Sequence, residues 1–237
     1  MKSHVEEVKV AMEKVDSLKG RAQTNRDFGD YSAALEDLDN AIAHLDSTLK
    51  ALETDTSEQV ETLRYKLARE LGDCYGMKGG IYRRQDDLEN AEATYEAGRK
   101  YEQDFNIPDT YNRTNVIVLR LLRDPHDHAA LRPIILDCWE IVHDQIKGKN
   151  KNKWWAWADF GLLNLLRVNL EETEDQAHFR QEARNAYEQF KKNGAGMQHF
   201  ESTIEVLTQL RQGFHKIGES TELLIQEEID YLKANMP

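Results

Sequence analysis

The chain contains few of the residues that interrupt helices or cross-link a fold. Four prolines occur among its 237 residues, at positions 108, 125, 133 and 237, so long segments can form helices. The two cysteines, Cys74 and Cys138, lie inside apolar helical patterns and form no close motif. A disulfide framework is therefore not expected, and a reducing cytoplasmic compartment is the simpler prediction.

Long apolar runs and an excess of positive charge are also missing. No run approaches the roughly 20 apolar residues that span a bilayer, and the amino terminus, MKSHVEEVKV, lacks the apolar core of a signal peptide. The chain has 43 acidic and 31 basic residues, which gives a formal net charge of -12. This balance argues against general binding to nucleic acids or anionic membranes, because phosphate affinity needs accumulated lysine and arginine. We expect a soluble protein without a membrane segment.

What the sequence does contain is helical periodicity. Apolar residues spaced three and four apart begin at Val5 and predict an amphipathic helix that ends at about Arg26. A second helix follows the polar turn at residues 27–30, and a long third helix is expected at about 57–84. Along the whole chain the pattern predicts about ten helices in five antiparallel pairs, an all-α fold. Pro133 is expected to mark a helix restart, since proline fits the first turn of a helix but not its interior.

Small and large residues alternate between the two helices predicted in the stretch 72–103. Gly79 and Ala91 are small enough to let two helices approach closely, and Tyr82 and Tyr95 are large enough to fill the space between them. This spacing resembles the tetratricopeptide repeat, a helix-turn-helix unit of about 34 residues.

The resemblance covers most of the chain. The string GDYSAALEDLDNAI at 29–42 is the second-best match to the repeat, and Trp157 with Gly161 matches the opening of another repeat helix. Arg21 and Asn25 depart from the family pattern, which has a large apolar residue and an aromatic one at those places. The resemblance implies a single domain over 1–237, in which antiparallel helix pairs stack as a right-handed superhelix. Its best repeats lie at about 15–50 and 72–105, and its divergent pairs at about 108–147, 153–193 and 196–236.

The same resemblance implies a function. First helices of successive repeats line a concave groove that binds peptides or partner helices. We therefore expect a non-catalytic adaptor or scaffold that holds a protein partner with basic and aromatic anchors and needs no cofactor. A weaker likeness, to arrays in bacterial signalling and defence proteins and in stress-kinase regulators, suggests a signalling or defence complex. The candidate groove residues are Lys19, Gln23, Arg26, Met77, Arg83, Asn112, Arg113 and Trp155.

One known use of such grooves, the binding of chaperone carboxyl termini, is disfavoured. The sequence leaves the oligomeric state open. The family's clamp for chaperone carboxyl termini begins with a lysine and an asparagine four residues apart. Lys19 and Gln23 match only half of that pair, and Met77 stands where a second asparagine is expected. Methionine cannot hydrogen-bond a carboxylate in the same way.

Catalytic chemistry has few candidates. Glu140 and His143 share a helix face as a Glu-x-x-His pair, but a di-iron bundle needs a second such pair and two further glutamates. The nearest second pair is Asp175 with His178, and the run at 126–128 (HDH) lacks ligands from another segment. Neither cysteine has a histidine base that the sequence can place, and the glycine clusters at 76–80 and 194–196 lack the phosphate-loop ending. We expect neither an enzyme nor a metal site. A metal-dependent helical-bundle enzyme and a ligand-sensing repeat protein remain alternatives.

A basic loop and three tryptophans form the last notable feature. The segment KGKNKNK at 147–153 is followed by Trp154, Trp155 and Trp157. Charge and stacking of this kind can serve single-stranded nucleic acid. The overall charge and the helical spacing of Trp154 and Trp157 favour a solvated loop beside core rings instead, with Trp155 left outside and the loop free to contact an acidic partner.

Overall fold

The fold is helical throughout the described part of the chain. The computed structural model describes residues 4–168, 173–215 and 219–237, and in these ranges it has ten α-helices, one short 3-10 turn (Pro125–Asp127) and no strand. The predicted fold class and number of helices are confirmed. The helices are α1 (His4–Asp27), α2 (Tyr31–Ala51), α3 (Glu58–Arg84), α4 (Leu88–Asp104), α5 (Tyr111–Arg123), α6 (His128–Lys147), α7 (Trp154–Val168), α8 (Thr173–Lys192), α9 (Met197–Phe214) and α10 (Glu219–Ala234).

The chain divides into two compact units, Met1–Asn112 and Arg113–Pro237. The first unit contains α1 to α4, the second contains α6 to α10, and the division falls within α5. The single domain and the right-handed superhelix expected from the resemblance stay predictions. None of the described helices is both long and apolar enough to cross a membrane.

The breaks between helices follow local hydrogen-bonding chemistry. Asp30 and Asp87 cap α2 and α4, because their carboxylates accept the backbone N–H groups of Ala33 (3.1 Å) and Asn90 (3.3 Å). Ser57 precedes α3, but its side chain makes no capping hydrogen bond.

Pro133 does not restart a helix, so that prediction is wrong. The helix α6 begins at His128 and continues through Pro133. A proline at the sixth position removes one backbone hydrogen bond. The helix is held on the core instead by Leu131, Ile135 and Cys138, which are all buried.

In the first unit each helix packs on the next one in sequence: α1 on α2, α2 on α3, and α3 on α4. The helix α1 also packs on α3. Between α3 and α4 the expected small-to-large packing is confirmed, since a Cβ at Gly79 would lie 2.8 Å from Cε1 of the fully buried Tyr95. Ala91 is also fully buried. Tyr82 does not fill the space: it is half-buried, and Lys78 Nζ lies 5.8 Å from its ring centroid.

The second unit shows the same close packing of a glycine against a buried tyrosine ring. The helix α7 packs on α8, and a Cβ at Gly161 would lie 2.5 Å from Cε1 of Tyr187, which is 2% exposed. The helices α9 and α10 also form a pair. The third expected pair, α5 with α6, is not among the closely packed ones, and α6 packs against α7.

Candidate partner-binding face

An ion-paired surface joins α1 and α3, which would be the first helices of two successive repeats in the first unit. Lys19 Nζ on α1 lies 2.7 Å from Glu70 Oε2 and 3.7 Å from Asp73 Oδ2 on α3. Gln23 and Arg26 follow Lys19 at helical spacing, and Met77 follows Asp73 by one turn. We call this surface the first-helix face, and it consists of Lys19, Gln23, Arg26, Glu70, Asp73 and Met77.

Burial and charge set the protonation of this face. Burial raises the pKa of Asp73 to about 6; the cation of Lys19 opposes this, and the charges of Glu70 and Asp109 add to it. Burial lowers the pKa of Lys19, but its hydrogen bond with Glu70 and the charges of Glu70 and Asp73 outweigh burial, so the pKa is raised. Lys19 is therefore a charged structural link, while Asp73 titrates near neutral pH.

A tyrosine that the sequence did not single out borders this face. The glycines 72, 76 and 80 lie four apart along one side of α3. A Cβ at Gly76 would lie 3.0 Å from Cδ1 of Tyr111, and one at Gly80 would lie 4.0 Å from its Oη. The Tyr111 side chain is 45% exposed. The spacing of the three glycines was the available signal, because small residues at every fourth position let another group approach the helix.

The structure brings together only half of the predicted groove residues. Lys19, Gln23, Arg26 and Met77 lie on the first-helix face, where Gln23 is exposed, Met77 is half-buried, and Arg26 hydrogen-bonds its neighbour Asp27.

Two further candidates of the first unit are interior residues. Asn112 is 2% exposed and donates to the Gly72 carbonyl (3.0 Å) and to Glu102 Oε1 (2.6 Å). Arg83 is 8% exposed. Asn112 therefore fixes α3 and α4 to the start of α5, and neither side chain presents a surface to a partner.

The remaining two candidates belong to the second unit. Arg113 is buried and its Nη1 donates to Asp137 Oδ2 at 2.6 Å. Trp155 is half-buried against the apolar core, so the prediction that it lies outside is wrong. Trp154 stacks on His199 with ring centroids 3.8 Å apart, and Trp157 Nε1 donates to the Lys151 carbonyl (2.8 Å). The hydrogen bond of Trp157 anchors the basic loop to α7, and the stacking of Trp154 joins α7 to α9.

The two residues that depart from the repeat pattern form a polar cluster. Asp37 on α2 is 8% exposed, and it accepts hydrogen bonds from Arg21 and from Asn25 Nδ2 (3.2 Å) on α1. Where an apolar and an aromatic residue were expected, the contact between α1 and α2 is therefore made by charge-assisted hydrogen bonds.

The histidines considered as metal ligands have other surroundings. His143 stacks on Trp139 with ring centroids 4.5 Å apart, and burial lowers its pKa, as does the charge of Lys147. His128 is buried, with Nε2 3.0 Å from the Leu166 carbonyl, whereas His126 is exposed. Within the part of the chain that the structure describes, no three His, Cys, Asp or Glu side chains are grouped to hold a metal ion.

No protein-family model matches the chain, and neither does any curated protein or solved structure. The likeness to tetratricopeptide repeats therefore rests on the residue pattern alone.

Proposed function

We propose that this chain is a non-catalytic protein-interaction module of the tetratricopeptide type, whose first-helix face binds a basic segment of a partner protein. The observation that carries the proposal is the combination on α3 of two partly exposed carboxylates, Glu70 and Asp73, that share the single cation of Lys19, with the neighbouring ring of Tyr111. Carboxylates and an aromatic ring together bind lysine and arginine side chains through ion pairs and cation–π contacts. An adaptor role in a cytoplasmic signalling or defence complex belongs to the same proposal.

The charge of the first unit supports a basic partner. Residues 1–112 contain 24 acidic and 15 basic residues, whereas residues 113–237 contain 19 and 16. The basic side chains first considered as anchors are already engaged, because Lys19 pairs with Glu70 and Arg26 with Asp27. The anchoring cations are therefore assigned to the partner and the anions to this chain.

The packing beneath the face supports a binding role as well. Tyr95 fills the space that Gly79 leaves, which holds α3 against α4. A rigid helix presents its side chains already in place, and this lowers the ordering cost of binding.

The test is a peptide selection against the full chain, followed by fluorescence anisotropy with the selected peptides. We expect peptides with net positive charge, and at least tenfold weaker binding to the variant E70Q/D73N. The matched control is E13Q/D86N, which removes two exposed carboxylates elsewhere in the same unit and should leave binding within about twofold. Acidic or neutral peptides, or equal loss in both variants, would contradict the proposal.

A further inference from the structure

A second concave site lies in the first unit and shares no residue with the first-helix face. It is a cavity of about 580 Å³ where α2 and α4 end and α3 begins. This volume is within the range of small-molecule sites, about 300 to 1,000 Å³. We call it the end pocket, and its lining includes Asp46, Glu53, Tyr65, Tyr101, Asp104 and Phe105.

The charges that line the end pocket do not balance. It contains four carboxylates and two cations. Lys50 Nζ lies 2.6 Å from Asp46 Oδ2, and Arg64 Nη1 lies 2.7 Å from Glu61 Oε1, so two carboxylates are neutralised. The exposed Glu53 and Asp104 form no hydrogen bond or close ion pair through their side chains with a described residue, although Lys50 is near enough to interact with the charge of Glu53. The lining therefore carries two more negative than positive charges.

Two of the three helix termini at the pocket add to this negative potential. The carboxyl-terminal ends of α2 and α4 carry partial negative charge, whereas the amino-terminal end of α3 carries the opposite partial charge. The last turn of α4 has no basic residue and contains Asp104. This is the reverse of the usual preference for cations at a helix carboxyl terminus.

Aromatic rings form the other walls. Tyr101 donates to Asp46 Oδ1 at 3.3 Å and stacks on Tyr75 with ring centroids 5.8 Å apart, so its position is fixed. Tyr65 is 37% exposed, and Phe105 already has the guanidinium of Arg64 5.7 Å from its ring centroid. Ring faces and free carboxylates together are the surroundings that an organic ammonium group prefers.

We propose that the end pocket binds an ammonium group on a flexible alkyl chain, with Glu53 and Asp104 as its counter-ions and Tyr65 as its aromatic contact. A free polyamine and a lysine side chain of a partner both carry this group. The site goes beyond the proposed function, since it holds its ligand whether or not the first-helix face binds a protein.

The experiment is calorimetric titration of the full chain with two probes at matched ionic strength. One probe is spermidine, and the other is an amino-acetylated, carboxyl-amidated trilysine peptide whose only cations are side chains. We expect one of them to bind wild-type protein and to bind E53Q/D104N at least tenfold more weakly. The variant E13Q/D86N loses the same charge from two exposed residues outside both the end pocket and the first-helix face, and it is expected to bind within about twofold of wild type. Tyr65→Leu should weaken binding about two- to fivefold, and Tyr65→Phe should retain it.

Each outcome decides something. Binding of spermidine alone identifies a free polyamine as the ligand, and tighter binding of the peptide identifies a partner's lysine. The proposal is overturned if neither probe binds at about 1 mM, if E53Q/D104N binds like wild type, or if E13Q/D86N loses as much affinity as E53Q/D104N. The last result would indicate non-specific attraction to an acidic surface. The test of the first-helix face depends on E70Q/D73N, which this experiment does not use, so failure here leaves that test unaffected.

Discussion

At the scale of single residues, the ionisation of Asp73 links stability to pH. Burial raises its pKa in the folded chain to about 6, above the usual aspartate value of 3.8. The folded state therefore binds a proton more tightly than the unfolded state does. The stabilisation from that proton is fully present below about pH 3.8 and is lost as the pH rises through about 6.

We expect the substitution Asp73→Asn to reverse this loss. The free energy of unfolding of the variant, relative to wild type, should rise as the pH increases from 4 to 7. The Asp73 side chain is 42% exposed, so solvent screening limits the change to about 1 kcal/mol. Urea unfolding at several pH values measures it, with the exposed Asp86→Asn as a control. If the free energy of unfolding changed with pH in parallel for Asp73→Asn and wild type, the pKa of Asp73 would not be raised in the folded chain.

A second prediction at this scale concerns the hydroxyl group of Tyr187. The residue is 2% exposed, and the oxygen has no hydrogen-bond partner among the described residues. Burial, together with the charges of Glu228 and Asp159, raises the pKa of Tyr187 well above its usual value. Since a buried unpaired hydroxyl costs about 1 to 3 kcal/mol, Tyr187→Phe should leave stability unchanged or increase it by about 1 kcal/mol in thermal or urea unfolding. A loss above about 1 kcal/mol would show that the hydroxyl is bonded.

At the scale of helices, close approach of paired helices depends on glycine. A Cβ at Gly79 would lie within 3.0 Å of three ring atoms of Tyr95, so Gly79→Ala should cost about 1 to 3 kcal/mol through overpacking. The matched control is Gly20→Ala in α1, where a Cβ meets nothing within 4 Å. There the better helix propensity of alanine should add about 0.5 to 1 kcal/mol. Chemical denaturation of both variants measures the contrast, and stabilisation of equal size in both would refute the packing.

The attachment of α10 to α8 depends on a buried carboxylate. Glu228 is fully buried, and Arg184 and Arg180 lie 3.1 and 3.3 Å from its Oε1. Breaking a buried ion pair costs about 3 to 5 kcal/mol, and the partly exposed arginines reduce this, so we expect Glu228→Gln to cost about 2 to 3 kcal/mol. Glu205→Gln in α9 makes the same change at an exposed residue outside this ion-pair cluster and should stay within about 0.5 kcal/mol. Urea unfolding compares the two variants, and similar losses would rule out a special role for Glu228.

The helices were predictable because local chemistry sets their limits. Polar turns such as Gly29–Asp30 and Gln85–Asp87 end one apolar periodicity and begin another, and the structure breaks at the same places. The prediction of a helix restart at Pro133 was wrong, because the packing of α6 on the core outweighs the loss of one backbone hydrogen bond.

The candidate site was less predictable than the helices. Helical spacing places Lys19, Gln23 and Arg26 on one side of α1. It does not show that Lys19 is neutralised by α3, or that Arg83 and Asn112 turn inward, because these facts depend on contacts between helices that are distant in sequence. Tyr111 was missed for the same reason, since its contact with Gly76 joins different elements.

At the scale of the whole molecule, the uneven charge of the chain is its most informative property. The excess of acidic residues lies mostly in residues 1–112, which also contain the first-helix face and the end pocket. Binding that depends on this charge should weaken as salt increases, because exposed charges are screened over about 8 to 10 Å at 0.10 to 0.15 M ionic strength. The two sites can be separated by the charges that each one uses.

The most direct test of the central claim is a charge exchange between Asp73 and a basic peptide selected for binding to the full chain. Anisotropy titrations compare wild type and Asp73→Lys, each with the selected peptide and with versions in which one lysine is replaced by glutamate. If the first-helix face binds the partner's cation, each single change weakens binding at least tenfold. Asp73→Lys together with one of the glutamate peptides then recovers most of the loss. If no peptide position restores binding, or if Asp73→Lys alone binds like wild type, the claim is contradicted.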